Sequence, residues 1–125
     1  MLEKESKTKV AATAKMLVKA ELIKGFGHVS LRTKNGFLIT STKPMKNITS
    51  KNIISYKFSQ STKKPIKDLP LETPMHAAIY NARSDINAIC RGHGNFVSNW
   101  AVCSEELPLL HGLGAITGVR VRNSN

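Results

Sequence analysis

The apolar residues near the start of the chain recur at intervals of three and four positions, which is the spacing of one face of an α-helix. They are Val10, Ala14, Leu17, Val18 and Leu22. Glycine ends many helices because it readily adopts the left-handed backbone conformation. The pattern therefore predicts an amphipathic helix over residues 5–24, with Gly25 as its C-terminal cap.

Short apolar segments follow this helix and predict β-strands. Two of them, at residues 28–32 and 36–40, are joined by a short turn that ends in Asn35. Asparagine followed by glycine is typical of a turn between antiparallel strands. A third strand is predicted at residues 52–58, and a polar, lysine-rich loop at residues 59–68.

A second helix is predicted to begin at Thr73-Pro74 and to run to about Arg83. Proline fits the first helical position, and it excludes the residue before it from the helical conformation. The remaining predicted elements are a strand at residues 86–90, a helix from Phe96, a glycine-rich loop at residues 107–118 and a short strand at residues 119–121. Helices and strands in this order predict a single layered α/β domain over residues 1–125.

The composition fits a soluble globular protein. The chain has 125 residues, of which 41% are apolar, enough for one domain with a core. We find neither an apolar run of about 18 residues, as a membrane span needs, nor a signal peptide. A cytoplasmic protein without membrane contact is therefore expected. Cys90 and Cys103 are expected to be reduced residues that pack inside the protein.

The net charge of +11 and the pI of about 10.0 raise the question of nucleic-acid binding. Most of the nineteen basic residues are lysines spread along the chain. The densest basic segment has few aromatic residues for stacking on bases. A solvated lysine-rich surface is therefore favoured over a nucleic-acid groove, and it would attract anionic metabolites.

Several residues with ionisable side chains that can take part in a reaction lie at the ends of predicted elements. Glu72 precedes the second helix, where free N–H groups and the helix dipole favour an ionised carboxylate that can act as a base. The alternative is that it only stabilises the helix start. His93 follows a predicted strand and lies between two glycines. It can either face an open cleft or have a structural role. His76 is expected to be a structural, hydrogen-bonded histidine.

Three stretches of the chain resemble one known family. They are GFGHVSLRTKNGFLITST, LETPMHAAIYNARSDINAICRGHGNFVSNWAV and LPLLHG. In content and order they are similar to the class II aldolase/adducin family, which includes fuculose-phosphate aldolase and ribulose-phosphate 4-epimerase. The resemblance implies a three-layer α/β/α fold with a central, largely antiparallel sheet that is incomplete at the C-terminus. It also implies a homotetramer with active sites between neighbouring subunits.

The same resemblance implies metal-assisted chemistry. In the family, zinc or sometimes manganese is held by a His-x-His motif and a later histidine, and the metal stabilises an enediolate. Glu72 matches the catalytic acid/base, and His93 matches the second histidine of the motif. Arg91 stands in place of the first histidine, and a guanidinium cannot coordinate a metal. The third ligand is expected well beyond His93, and His111 is a candidate to replace it.

The resemblance also suggests a substrate site. The residues expected to bind substrate are Gly27, His28, Ser30, Thr42 and Lys43. Two departures weaken a phosphate site of the family type, because Lys43 replaces a glycine and Pro70-Leu71 replaces a pair of serines. His28 is typical of relatives that act on non-phosphorylated acids. A carboxylate and a sugar phosphate are therefore both candidate substrates, and Arg32 and Lys43 are candidate partners for either anion.

Together these features predict a class II aldolase-like, metal-dependent lyase of carbohydrate metabolism. It would break a carbon–carbon bond in a small hydroxy-carbonyl or carboxylate compound through an enediolate. The alternative is an inactive, adducin-like assembly module, which the loss of a ligand at Arg91 favours. A chain that represents only the N-terminal portion of the family is expected to expose apolar surface and to self-associate.

Overall fold

A computed structural model of the chain describes residues 2–60, 65–103, 106–108 and 120–122. Its contacts divide the chain into two compact units, Met1–Gly92 and His93–Asn125. The predicted single domain over residues 1–125 stays a prediction. Most of the predicted glycine-rich loop lies outside the described residues. No helix among the described ranges is both long and apolar enough to cross a membrane.

The first helix, α1, spans Glu3–Lys19 and ends earlier than the sequence predicted. Glu21 takes the left-handed conformation, with φ of 59°. The backbone N–H of Leu22 donates to the carbonyl of Leu17 at 3.0 Å, which is the hydrogen bond of a Schellman cap. The predicted cap at Gly25 is therefore wrong, because this turn already satisfies the last carbonyls of the helix.

Four antiparallel strands form one sheet in the order β3-β2-β1-β4. The strands are β1 (His28–Thr33), β2 (Gly36–Thr40), β3 (Ile53–Lys57) and β4 (Ala88–Arg91). His28 pairs with Arg91 across β1 and β4, and Ser30 pairs with Ile39 across β1 and β2. The start of β1 and the ends of β2 and β4 therefore lie at the same end of the sheet.

A helix covers each face of this sheet. Buried residues of α1 pack with one face in a cluster that includes Val10, Ala14, Val29, Leu38 and Ile53. The second helix, α2, spans Thr73–Ala82, and its Tyr80 is buried with Phe37 and Ile39 of β2 on the other face. Alternate residues of β2 thus face opposite layers. The unit Met1–Gly92 has the three-layer α/β/α architecture that the resemblance implied.

The expectation that both cysteines pack inside the protein is wrong. Cys90 and Cys103 are free and exposed. Cys90 lies on β4, which is the edge strand of the described sheet, and the exposed and half-buried residues of β4 alternate. An apolar sequence alone did not reveal that, among the described strands, β4 has a neighbour on only one side.

The second unit contains one helix and one strand pair within its described residues. Helix α3 spans Asn95–Cys103, and strands β5 (Glu106–Pro108) and β6 (Arg120–Arg122) pair antiparallel. The indole N–H of Trp100 donates to the carbonyl of Glu106 at 2.9 Å. The sequence predicted α3 and the region of β6, but not β5.

Candidate active site

Three polar side chains meet at the end of the sheet where β1 begins and β4 ends. Nε2 of His28 lies 3.0 Å from Oε2 of Glu72, and Nη1 of Arg91 lies 3.5 Å from Oε1 of the same carboxylate. We call these three residues the Glu72 cluster. The side chain of Glu72 remains 34% exposed, so a dissolved molecule can reach its carboxylate.

The fold assembles the Glu72 cluster from three elements. His28 is the first residue of β1 and the direct partner of Arg91 at the end of β4. Glu72 is the N-cap residue of α2, with proline in the first turn. The sequence had placed the cap at Thr73, but the hydroxyl of Thr73 instead donates to the carbonyl of Pro70 at 2.6 Å. This bond fixes the chain just before Glu72.

Gly27 lets β1 approach β4 closely beside the cluster. A Cβ atom at this position would lie 2.7 Å from the carbonyl oxygen of Arg91 and 3.0 Å from a methyl carbon of Ile23. Only glycine avoids this contact without moving the backbone. Gly27 was predicted to bind substrate. In the structure its lack of a side chain allows two backbone segments to approach each other closely.

The environment keeps Glu72 ionised and His28 neutral at pH 7. A backbone hydrogen bond, together with His28 and the positive charge of Arg91, holds the pKa of Glu72 below its usual range. Burial lowers the pKa of His28 although the carboxylate of Glu72 acts in the opposite direction. The contact is therefore a hydrogen bond from a neutral imidazole to a carboxylate, with Nε2–H as the donor.

A fully buried polar layer lies beneath the cluster. His76 is buried, and its Nδ1 lies 2.8 Å from the hydroxyl oxygen of Ser30. The same hydroxyl lies 2.8 Å from the phenol oxygen of Tyr80, and the His76 ring stacks on Phe37. The prediction that His76 is a structural, hydrogen-bonded histidine is confirmed. The sequence did not predict its hydrogen-bond partner, because Ser30 is 46 residues away from His76 along the chain.

The burial of His76 predicts a loss of stability in acid. Burial, and then the neighbouring His28, lowers its pKa to about 4 from 6.5, so the unfolded chain binds this proton at a higher pH than the folded chain does. The stabilisation is complete above about pH 6.5 and is lost as the pH falls toward 4, by about 3 kcal/mol. Chemical denaturation between pH 7.5 and 4 measures this loss, and His76→Gln should show a shallower dependence. Equal slopes for the two proteins would contradict it.

Arg32 holds the end of α2 instead of facing a ligand. Its guanidinium donates to the carbonyls of Ile86, Tyr80 and Arg83 at 2.7 to 2.9 Å, and it lies over the ring of Tyr80 at 4.7 Å. The expectation that Arg32 pairs with a substrate anion is therefore wrong. Arginine has five N–H donors, and here three hydrogen bonds satisfy carbonyls near the helix C-terminus.

The other predicted substrate residues differ in their accessibility. Ser30 is buried and bonded to His76 and Tyr80, so its side chain lies below the cluster. After β2, the backbone N–H of Thr42 donates to the carbonyl of Asp68 at 2.9 Å, and Nζ of Lys43 lies 4.0 Å from an Asp68 carboxylate oxygen. Substrate roles for these residues, as for Gly27 and His28, remain predictions.

Thr40, the last residue of β2, has a partner at this end of the sheet that the sequence did not predict. Thr40 is buried, and its hydroxyl accepts a hydrogen bond from the backbone N–H of Val29 at 3.1 Å. A side-chain bond to the neighbouring strand steadies the backbone next to His28. The signal was a threonine at the end of an otherwise apolar strand, where a buried hydroxyl needs a partner.

The described residues do not form the metal site that the resemblance implied. Within the described ranges, no group of three or more His, Cys, Asp or Glu side chains is placed to hold a metal ion. The guanidinium of Arg91 instead contacts Glu72 at 3.5 Å, and this permanent cation repels a divalent ion. His93 begins the second unit, and His111 lies outside the described residues. Their roles as ligands stay predictions.

An antiparallel sheet between two helices, with an ionised glutamate at the start of α2, is the arrangement that the resemblance implied for a class II aldolase domain. The family model described as "Class II Aldolase and Adducin N-terminal domain" matches residues 8–123. The chain belongs to this family.

Particular relatives are similar to the chain in sequence or in fold. The L-fuculose phosphate aldolase of Haemophilus influenzae is 28% identical over 116 residues, which are 91% of this chain. A solved L-fuculose 1-phosphate aldolase is 29% identical, with a TM-score of 0.80 over 93% of the chain. The L-fuculose-1-phosphate aldolase of Thermus thermophilus also has a TM-score of 0.80, over 95% of the chain, but is 19% identical. This last likeness shows the α/β fold alone.

The chain spans only part of each relative. It covers 53% of the Haemophilus protein, 57% of the solved aldolase that is 29% identical to it and 62% of the Thermus protein.

Proposed function

We propose that this chain acts as a lyase of the class II aldolase type, in which Glu72 transfers a proton at a carbon or oxygen atom near a carbonyl group. The observation that carries this proposal is the state of the Glu72 carboxylate. It is ionised, 34% exposed, and held by a neutral imidazole at 3.0 Å. A carboxylate that is both fixed and accessible is what general base catalysis requires.

The chemistry follows from the protonation states. The carboxylate of Glu72 takes a proton from the carbon next to the substrate carbonyl, and the electron pair of that bond moves to the carbonyl oxygen to form an enediolate. Return of the proton from Glu72 regenerates the carbonyl compound. In the cleavage direction, Glu72 takes the proton of the hydroxyl group on the β-carbon of the substrate, and that O–H electron pair becomes the second bond of a new aldehyde C=O. The bond between the α- and β-carbons then breaks, its electron pair forms the same enediolate, and the proton on Glu72 passes to the α-carbon.

A small anionic hydroxy-carbonyl compound is the substrate class that we propose. The guanidinium of Arg91 places a permanent positive charge beside Glu72, and the chain carries a net charge of +11. Guanidinium groups bind carboxylates and phosphates through charge-assisted hydrogen bonds. Both a sugar phosphate and an organic acid fit this charge.

The metal requirement predicted from the resemblance enters no step of this proposal, because Arg91 occupies the position of a ligand. This leads to a test. Arg91→His places an imidazole two positions before His93 and so restores the His-x-His sequence that holds the metal in the family. We expect the variant to bind zinc at least about tenfold more tightly than the wild type, since zinc sites use converging imidazoles. Calorimetric titration measures this gain.

Arg83→His is the matched control for the metal experiment. Arg83 is exposed and pairs with Asp85 at 2.6 Å, so the same substitution should leave zinc affinity unchanged there. If both variants bind zinc equally, or if neither gains affinity, position 91 is not a former ligand position.

A non-catalytic, adducin-like module remains the second candidate. The observation that favours it is the ion contact between Arg91 and Glu72 at 3.5 Å, which occupies one oxygen of the proposed base. The two candidates differ in turnover. A lyase converts substrate and loses this activity when Glu72 is changed, whereas a module shows no conversion in either form.

The cellular location and the binding partners that we propose are those predicted from the sequence. We propose a cytoplasmic protein that acts on a small molecule, forms homo-oligomers as the predicted tetramer would, and does not bind nucleic acid. Light scattering of the purified chain measures its assembly state. Binding to DNA or RNA that is weak and insensitive to salt would agree with this proposal, whereas steeply salt-dependent affinity would contradict it.

Cleavage of candidate substrates tests the proposed lyase directly. The panel contains L-fuculose 1-phosphate, which is in the name of a solved relative, and small hydroxy acids without phosphate. Carbonyl products or carbon dioxide are quantified with time. Product formation from at least one compound above the uncatalysed rate is the expected result. No product from any of them, with a folded protein, would favour the module.

A further inference from the structure

Two imidazole nitrogens near Glu72 are buried without a hydrogen-bond partner among the described residues. They are Nδ1 of His28 and Nε2 of His76. Such atoms are nearly always satisfied by protein or by ordered water, and an unsatisfied one is costly to the fold. The two rings are neighbours, with centroids 6.4 Å apart and planes inclined by 73°. A single shared partner would satisfy both nitrogens.

The contact with Glu72 decides which nitrogen of His28 carries the proton. The carboxylate is ionised and can only accept a hydrogen bond, so Nε2 of His28, at 3.0 Å, is the donor. A neutral imidazole has one N–H. Nδ1 of His28 is therefore a bare acceptor.

The contacts of Ser30 decide the same question for His76. The Ser30 hydroxyl lies 2.8 Å from both Nδ1 of His76 and the phenol oxygen of Tyr80, and it has one proton to donate. If Tyr80 donates to Ser30 and Ser30 donates to Nδ1, each of these hydroxyl protons has an acceptor. The reverse direction leaves the Tyr80 proton without one in this chain of bonds, and acceptance of both bonds by the Ser30 oxygen leaves the Ser30 proton without one. Nε2 of His76 is therefore an N–H donor.

We propose that one buried water joins the two rings, accepting from Nε2–H of His76 and donating to Nδ1 of His28. Two hydrogen bonds of about 2.9 Å that meet at a water place their nitrogens about 4.5–5 Å apart, and rings with centroids 6.4 Å apart can accommodate this. Every bond then runs in one direction, from Tyr80 through Ser30, His76, the water and His28 to Glu72.

This chain of bonds makes His28 and His76 positioning residues for Glu72. It locks His28 in the tautomer that donates to Oε2, so that the carboxylate keeps its orientation and its charge. The inference deepens the proposed function, and it rests on that function only where it names Glu72 as the reacting group. The bonds themselves are a property of the folded chain without substrate.

Nitrogen NMR of the ¹⁵N-labelled full chain tests the inference without any substrate. Long-range ¹H–¹⁵N spectra at pH 7.5 should show both His28 and His76 protonated at Nε2, with bare Nδ1 atoms. A cross-peak should connect the Nε2 proton of His76 with a long-lived bound water. A proton on Nδ1 of either ring, or the absence of this cross-peak, overturns the proposal. These outcomes do not depend on whether the lyase is active.

Variants test whether the chain of bonds is continuous. In Ser30→Ala, His76 loses the partner of Nδ1, and we expect mixed tautomers at His76 together with shifted nitrogen signals at His28. Ser55→Ala is the matched control, because Ser55 is on the same sheet, is exposed and bonds to Glu3. Should Ser30→Ala fail to fold, Tyr80→Phe removes the first donor and should shift both histidines. Unchanged His28 signals in a folded variant overturn the proposal.

Discussion

Glu72→Gln should lower the rate of substrate cleavage by about 10²–10⁴-fold, the range that a general acid/base contributes. The amide keeps nearly the same shape and can still accept a hydrogen bond from His28, but it cannot take a proton from carbon. The loss should therefore fall on kcat, with KM changed little. Initial rates over a range of substrate concentrations separate the two constants.

Glu5→Gln is the control for this experiment. Glu5 lies on the outer side of α1, where it pairs with Lys9 at 3.4 Å, and it is far from the reaction that we propose. Its rate should equal that of the wild type. A Glu72→Gln protein that is folded and retains most of its activity would exclude Glu72 as the base.

Phe37→Ala should destabilise the fold by about 3–5 kcal/mol, the usual cost of removing a buried aromatic ring. Phe37 is 0% exposed, and its ring contacts those of Tyr56, Phe58, His76 and Tyr80. Its loss opens a cavity beneath the buried layer that supports the Glu72 cluster. Urea denaturation followed by circular dichroism measures the change in the free energy of unfolding.

Phe26→Ala is the same substitution at a ring that is 78% exposed. It should change the free energy of unfolding by no more than about 0.5 kcal/mol, as is usual on the surface. Similar losses at the two positions would mean that the α2 face of the sheet is not the core that the structure shows.

The periodic parts of the chain predicted the fold well. The spacing of apolar residues located α1, because burial on one face of a helix imposes a period of about 3.6 residues. The Asn-Gly turn located the hairpin of β1 and β2, and Thr73-Pro74 located the start of α2. The end of α1 was missed since a glutamate, Glu21, adopts the left-handed conformation that usually selects glycine. The exposure of Cys90 depends on what lies beside β4, which the sequence of β4 itself does not determine.

The candidate site was predicted in part. The resemblance pointed to Glu72 and His28 separately, and the structure brings them to 3.0 Å. Their pairing depends on the register between β1 and β4 and on the placement of α2, which are long-range properties. The sequence offered Arg32 as a candidate partner for a substrate anion, because its contacts with carbonyls near the end of α2 are also long-range.

Deuterium exchange into a small hydroxy-ketone phosphate tests the central claim, that the Glu72 cluster moves a proton next to a carbonyl. Dihydroxyacetone phosphate is incubated with the protein in D₂O and followed by proton NMR, which detects proton removal even when no carbon–carbon bond is broken. We predict stereospecific loss of one proton signal with the wild type and at least about a hundredfold slower loss with Glu72→Gln. Exchange at equal rates with both proteins would contradict the account.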